Sequence, residues 1–150
     1  MNKKIIILLL IISTNICFSR TRSDIDTLLN SITTTNSKGI NTTIAAKKII
    51  AKGTSILSTL STFFTDASRT KIYSECHNRT LTKGEVAIII ADKIKRMPFF
   101  EMTRIQNCTL TFCDDNPNLI EYYFSYIDIN EFQSRYNQWL KREEKQLKTK

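Results

Sequence analysis

A chain of 150 residues with 41% apolar content is long enough for one domain with its own core and too short for two of ordinary size. Three glycines and two prolines exclude collagen, linker repeats and a fold built mostly of tight turns, and four cysteines are too few for a disulfide-dense scaffold. A net charge of +8 makes the surface basic, which bears on solubility and on acidic partners rather than on fold.

Met1-Asn2-Lys3-Lys4 is a short positive head, residues 5–12 are an unbroken apolar run, and Cys17-Phe18-Ser19 is a small-residue exit before Arg20. This is the order of a secretory signal peptide over residues 1–19, with cleavage expected after Ser19. The apolar run is far short of the ~20 residues of a spanning helix, which weighs against an uncleaved anchor. The longest later run, residues 86–91, is shorter still, so no membrane span is expected. A secreted, extracellular chain follows. Nucleic acid is then the wrong partner, while acidic sugars, anionic lipid or an extracellular protein remain open. Removing Lys3 and Lys4 with the leader leaves +6.

Residues 20–40 read as a short helix and a Thr-rich link. Ile25, Leu28, Leu29 and Ile32 recur at helical spacing, and Ser23 can cap them. Residues 41–150 read as a single α+β domain. A second apolar stripe runs from Ala46 to Phe64, interrupted at Gly53-Thr54-Ser55; glycine costs about 1 kcal/mol inside a helix, so two helices, 42–52 and 54–65, are expected rather than one bent one. Residues 69–76 suggest a short strand. Thr82-Lys83-Gly84-Glu85 is a capping box opening a helix that runs to Met97 and stops at Pro98.

Residues 99–113 alternate with period two, with Phe100, Met102, Cys108, Leu110 and Phe112 on one face and Arg104 interrupting it. Asp114-Asp115-Asn116-Pro117-Asn118 is a turn, and residues 119–129 place Ile120, Tyr122, Phe124 and Tyr126 on one face. These two segments predict a long antiparallel hairpin with an aromatic inner surface. Residues 128–150 fit a helix with Phe132, Tyr136, Trp139, Leu140 and Leu147 on a stripe and Asp128 as its cap; a strand alternates less cleanly there.

With Cys17 removed, Cys76, Cys108 and Cys113 remain as disulfide candidates. On one strand Cys108 and Cys113 would stand about 16 Å apart, against the ~7 Å a disulfide tolerates. Cys76 is thus expected to bond one of them, and spacing leaves open which. Three sequons, at Asn41, Asn78 and Asn107, are candidate glycosylation sites. Neither a metal cluster nor a phosphate-cradling glycine loop occurs, so no metal and no cofactor is expected.

Phe63-Phe64-Thr65-Asp66 at a helix end, then Tyr73-Ser74-Glu75-Cys76, then Leu81-Thr82-Lys83-Gly84-Glu85 opening a third helix before long strands, resembles the nuclear transport factor 2-like domain in its small secreted roundworm form, over about residues 42–129. The resemblance implies helices packed on a curved, cone-like antiparallel sheet around an apolar cavity. Members bind proteins or small ligands, and some are isomerases or dehydratases. On that reading Met102, Arg104, Tyr122, Phe124 and Tyr126 would line the pocket. His77 with Tyr122, Tyr126 and Arg104 could transfer a proton, but His77 precedes a sequon and tyrosines are more often core. The expected function is non-catalytic binding of an apolar small ligand or an extracellular protein, with a secreted helical interaction factor as the alternative.

Overall fold

The computed structural model describes residues 20–34, 36–106, 113 and 115–148. The expected signal sequence of residues 1–19, Asn107, Cys108 and most of the second half of the expected strand 99–113 lie outside them.

Residues 20–30 are helical (α1) and bury Ile25 and Leu29, with Ile32 also buried just beyond the helix end. A 3₁₀ turn, Ser37–Thr42, leads into α2, Ile44–Ile50, which is capped by the Thr43 hydroxyl accepting the Ala46 N–H at 3.2 Å. The expected break falls where the glycine is: Gly53 has φ +67°, a left-handed value that disfavours any side chain, and a 3₁₀ turn, Gly53–Ile56, then runs into α3, Leu57–Ser61. Strand β1, Arg69–Ser74, forms as expected. It pairs antiparallel with a second strand, β2, Arg79–Thr82, that the sequence pattern does not mark. The turn between them is closed by Asn78 at φ 50°.

Helix α4, Lys83–Ile94, is the centre of the molecule. Thr82 and Glu85 form the reciprocal capping box that the sequence spells out, and every residue from Gly84 to Asp92 is buried. Gly84 is needed at its start because a Cβ there would lie 2.1 Å from the Phe64 carbonyl oxygen. The helix packs against α2, α3 and the two 3₁₀ turns Ser37–Thr42 and Leu119–Ser125. It ends at Ile94, three residues before the expected Met97. There the Asp92 carboxylate accepts the Met97 N–H at 2.9 Å and turns the chain. Helix α6, Ile129–Lys148, is capped by Asp128, whose Oδ1 accepts the N–H groups of Asn130 and Glu131 at 2.9 Å each. Its Phe132 and Tyr136 rings sit 6.0 and 4.9 Å from Phe64.

The architecture is therefore α+β, mostly helical, with one two-stranded sheet among the described residues. The long aromatic hairpin is corrected. Phe99–Thr103 is a short helix, α5, and Leu119–Ser125 is a 3₁₀ turn. Alternation misled because it was broken where it mattered: Ile120, Glu121, Tyr122, Tyr123 and Phe124 are all buried in succession, which a one-faced strand cannot do. At residue 98, proline sets the N-terminal cap of α5 and its carbonyl accepts the Met102 N–H at 3.1 Å, while the Thr103 hydroxyl bonds back to the Phe99 carbonyl.

Candidate functional site

The densest polar arrangement centres on Glu121, which is wholly buried. Ser37 Oγ donates to its Oε1 at 2.9 Å, Ser74 Oγ donates to the same oxygen, and Asn116 Nδ2 donates to Oε2 at 2.9 Å. These donors come from the first 3₁₀ turn, from β1 and from the segment before the second 3₁₀ turn. All are neutral, so the carboxylate is solvated by dipoles rather than by a cation. The same corner carries the Cys76–Cys113 disulfide, with its Cα atoms 5.4 Å apart. Of the two partners left open for Cys76, the chain uses Cys113.

His77 lies beside this corner. Its backbone N–H donates to Ser74 Oγ at 3.1 Å, its Nε2 meets the Glu121 carbonyl at 2.5 Å, and its Nδ1 meets Ser125 Oγ at 2.9 Å. A carbonyl can only accept, so Nε2 carries the hydrogen and, in the neutral ring, Nδ1 accepts from the serine hydroxyl. The ring stacks on Phe124 at 6.1 Å. A hydroxyl against an imidazole nitrogen is the contact a nucleophile–base pair makes. Here the same contacts also complete the bonding of both ring nitrogens.

The residues expected to line one pocket are dispersed. Tyr122 and Tyr126 stay together, with ring centroids 5.7 Å apart, and loss of water contact followed by the Tyr126 neighbour pushes the Tyr122 hydroxyl up. Phe124 turns toward His77. Met102 is buried on α5, where its carbonyl accepts from Arg135 Nη1 at 3.1 Å. Arg104 ends α5 in a left-handed conformation with an exposed side chain. The sequons differ as well. Asn78 is exposed, with its Oδ1 bonded by the Tyr73 hydroxyl, whereas the Asn41 amide nitrogen is engaged by Asn118 at 2.8 Å.

The core is one apolar cluster contributed by α1–α6, both strands and the 3₁₀ turns. The hollows described lie at its edges. One of them, about 520 Å³, is an open groove between α1 and the C-terminal end of α2, lined by Asp24, Thr27, Leu28, Lys48, Ala51 and Lys52. Among the described residues no group of three or more His, Cys, Asp or Glu side chains could hold a metal ion, and no helix is long and apolar enough to cross a membrane. Glu121 was missed by sequence reasoning. Its signal, an acid inside an otherwise apolar Ile120–Phe124 run, is visible only once strand alternation is set aside. No protein family, curated protein or solved structure matches the chain.

Proposed function

We propose that this is a secreted binding module that recognises an acidic extracellular protein through the open groove between α1 and α2, rather than an enzyme or a carrier of an apolar molecule. The observation that carries the reading is the groove itself. Leu28 and Ala51 supply an apolar floor, and Lys48 and Lys52, one helical turn apart, supply a basic rim. Neither lysine, nor the neighbouring exposed Lys47, has an ion pair among the described residues. Asp24 stands on the opposite wall. An acidic segment with an apolar side chain on one face complements this surface, and the net charge of +6 left after removal of the leader favours its approach. The hollow bordered by the core side chains Phe64 and Phe124 is only about 150 Å³, which supports a surface partner over an enclosed apolar ligand, because drug-sized ligands ordinarily occupy pockets of about 300 Å³ or more that bury most of their surface. Export rests on the leader pattern of residues 1–19, and the disulfide suits an oxidising compartment.

The test uses the chain recovered from culture medium and a fluorescein-labelled peptide of glutamate and leucine at helical spacing. Anisotropy is expected to rise saturably, to weaken with added salt and to be lost in Lys48→Glu/Lys52→Glu. Binding unaffected by that double substitution, or saturable uptake of a dansylated fatty acid in place of peptide binding, would overturn the reading.

A further inference from the structure

A second cleft, of about 190 Å³, lies between the 3₁₀ turn Ser37–Thr42, the C-terminal half of α4 and residues 117–120. It shares no residue with the α1–α2 groove. Its hydrogen bonding is incomplete in a directed way. Asn118 donates Nδ2 to the Ser37 carbonyl at 2.9 Å, so it turns Oδ1, an acceptor, toward Asn41. Asn41 must answer with Nδ2, at 2.8 Å, and its own Oδ1 is left buried without a partner. Asp92 is 7% exposed and uses Oδ1 for the Met97 N–H at 2.9 Å. Its Oδ2 has the Arg96 guanidinium at 3.6 Å, beyond hydrogen-bond length. Burial pushes this carboxyl up, with Met97, Arg96 and Lys93 only partly opposing it.

Two residues that line the cleft therefore have acceptor capacity to spare: among the described residues the Asn41 Oδ1 has no partner, and the Asp92 Oδ2 has only the Arg96 ion pair. The rim holds two cations, Arg96 and Lys93, both exposed, and Lys93 has no ion pair among the described residues. Ile120 closes the apolar side. Such a cleft matches a molecule with a donor-rich cation at one end and an anion at the other. We propose that it binds a small zwitterion of the amino-acid type, its ammonium group on Asp92 and Asn41 and its carboxylate on Arg96 and Lys93. The volume equals that of about six waters at ~30 Å³ each, which admits one amino acid with a modest side chain and excludes a drug-sized ligand. Bound ammonium would add to the buried Asp92 a cation closer than Arg96 at 3.6 Å, and the apolar wall would take the side chain. This proposal goes beyond partner binding at the α1–α2 groove and stands whether or not that reading holds.

The test is an NMR titration of the full, disulfide-bonded, ¹⁵N-labelled chain with leucine, with 4-methylpentanoate, which lacks the amine, and with 3-methylbutylamine, which lacks the carboxylate. Leucine is expected to shift the Asn41 side-chain amide and the backbone signals of residues 92–96 saturably, and each truncated analogue to bind at least roughly tenfold more weakly. Asp92→Asn keeps the acceptor for Met97, and Arg96→Gln alters an exposed side chain. Each is expected to weaken leucine by a similar factor, while Lys48→Glu/Lys52→Glu leaves it unchanged. Should Asp92→Asn fail to fold, Arg96→Gln decides. No saturable shift at ~10 mM leucine, equal binding of 4-methylpentanoate, or wild-type affinity in Arg96→Gln would each overturn the proposal.

Discussion

Two glutamates are buried in this molecule, and they are held in opposite ways. Glu85, 8% exposed, is satisfied by its own neighbourhood: the Thr82 N–H donates to its Oε2 at 2.7 Å, and Arg79, six residues back, grips both oxygens at 2.8 and 2.5 Å. Glu121, fully buried, is satisfied by Ser37, Ser74 and Asn116, of which two are 84 and 47 residues away, and no cation is among its partners in the described residues. A carboxylate paired within one motif can fold with that motif. A carboxylate that needs three separate segments is satisfied only when all three have arrived. The Glu121 corner is thus expected to be the cooperative part of the fold, and the Glu85 end of α4 its local part.

Removing each anchor breaks the comparison most directly. Glu121→Ala would leave two buried hydroxyls and an amide without their acceptor, a loss expected to exceed about 3 kcal/mol in urea unfolding, whereas Glu121→Gln, which keeps one acceptor oxygen, should cost about half as much. If Glu121→Ala costs less than Glu85→Ala, the assignment of cooperativity is reversed. The disulfide fastens the same corner across a sequence separation of 37 residues, so Cys76→Ser/Cys113→Ser should lose about 2–4 kcal/mol, read as a lower urea midpoint. At the local end, Gly84→Ala sets a methyl group against the Phe64 carbonyl oxygen and should cost about 2 kcal/mol, since the contact is with backbone, which cannot swing aside. A variant as stable as wild type would show that the start of α4 can shift.

The smallest expected effect is acid sensitivity. Burial alone would push the Glu85 carboxyl up, but the Arg79 guanidinium and the Thr82 N–H outweigh it and hold it below its ordinary 4.5. A lowered folded value means that the contribution is complete above pH 4.5 and is lost as pH falls through the folded value. Stability measured from pH 6 to pH 3 should therefore fall more steeply in wild type than in Arg79→Ala. Parallel curves would show that the ion pair carries none of the acid response.

The same contrast explains what could be read from the sequence. The capping box at Thr82, the break at Gly53 and the Asp128 cap of α6 each lie within a few residues of what they control, and all three appear where expected. Strand β2 was missed because residues 79–82 carry too short a pattern and are defined by pairing with β1. The hairpin failed because Ile120–Phe124 is buried on all sides. Such a run takes its conformation from what surrounds it, here α4, rather than from its own period. The candidate site was the least legible part. Both the Glu121 corner and the Asn41–Asp92 cleft join residues far apart in sequence, and no spacing rule connects Ser37 to Glu121 or Asn41 to Asp92.

Peptide mapping without reduction, on chain recovered from the culture medium and cleaved at Leu110 or Phe112 to separate Cys108 from Cys113, tests the central claim most directly. A new N-terminus at Arg20 and a Cys76 peptide linked to the Cys113 peptide are expected. A chain kept in the cell with Met1 in place, or Cys76 joined to Cys108, would contradict both the exported state and the corner around Glu121.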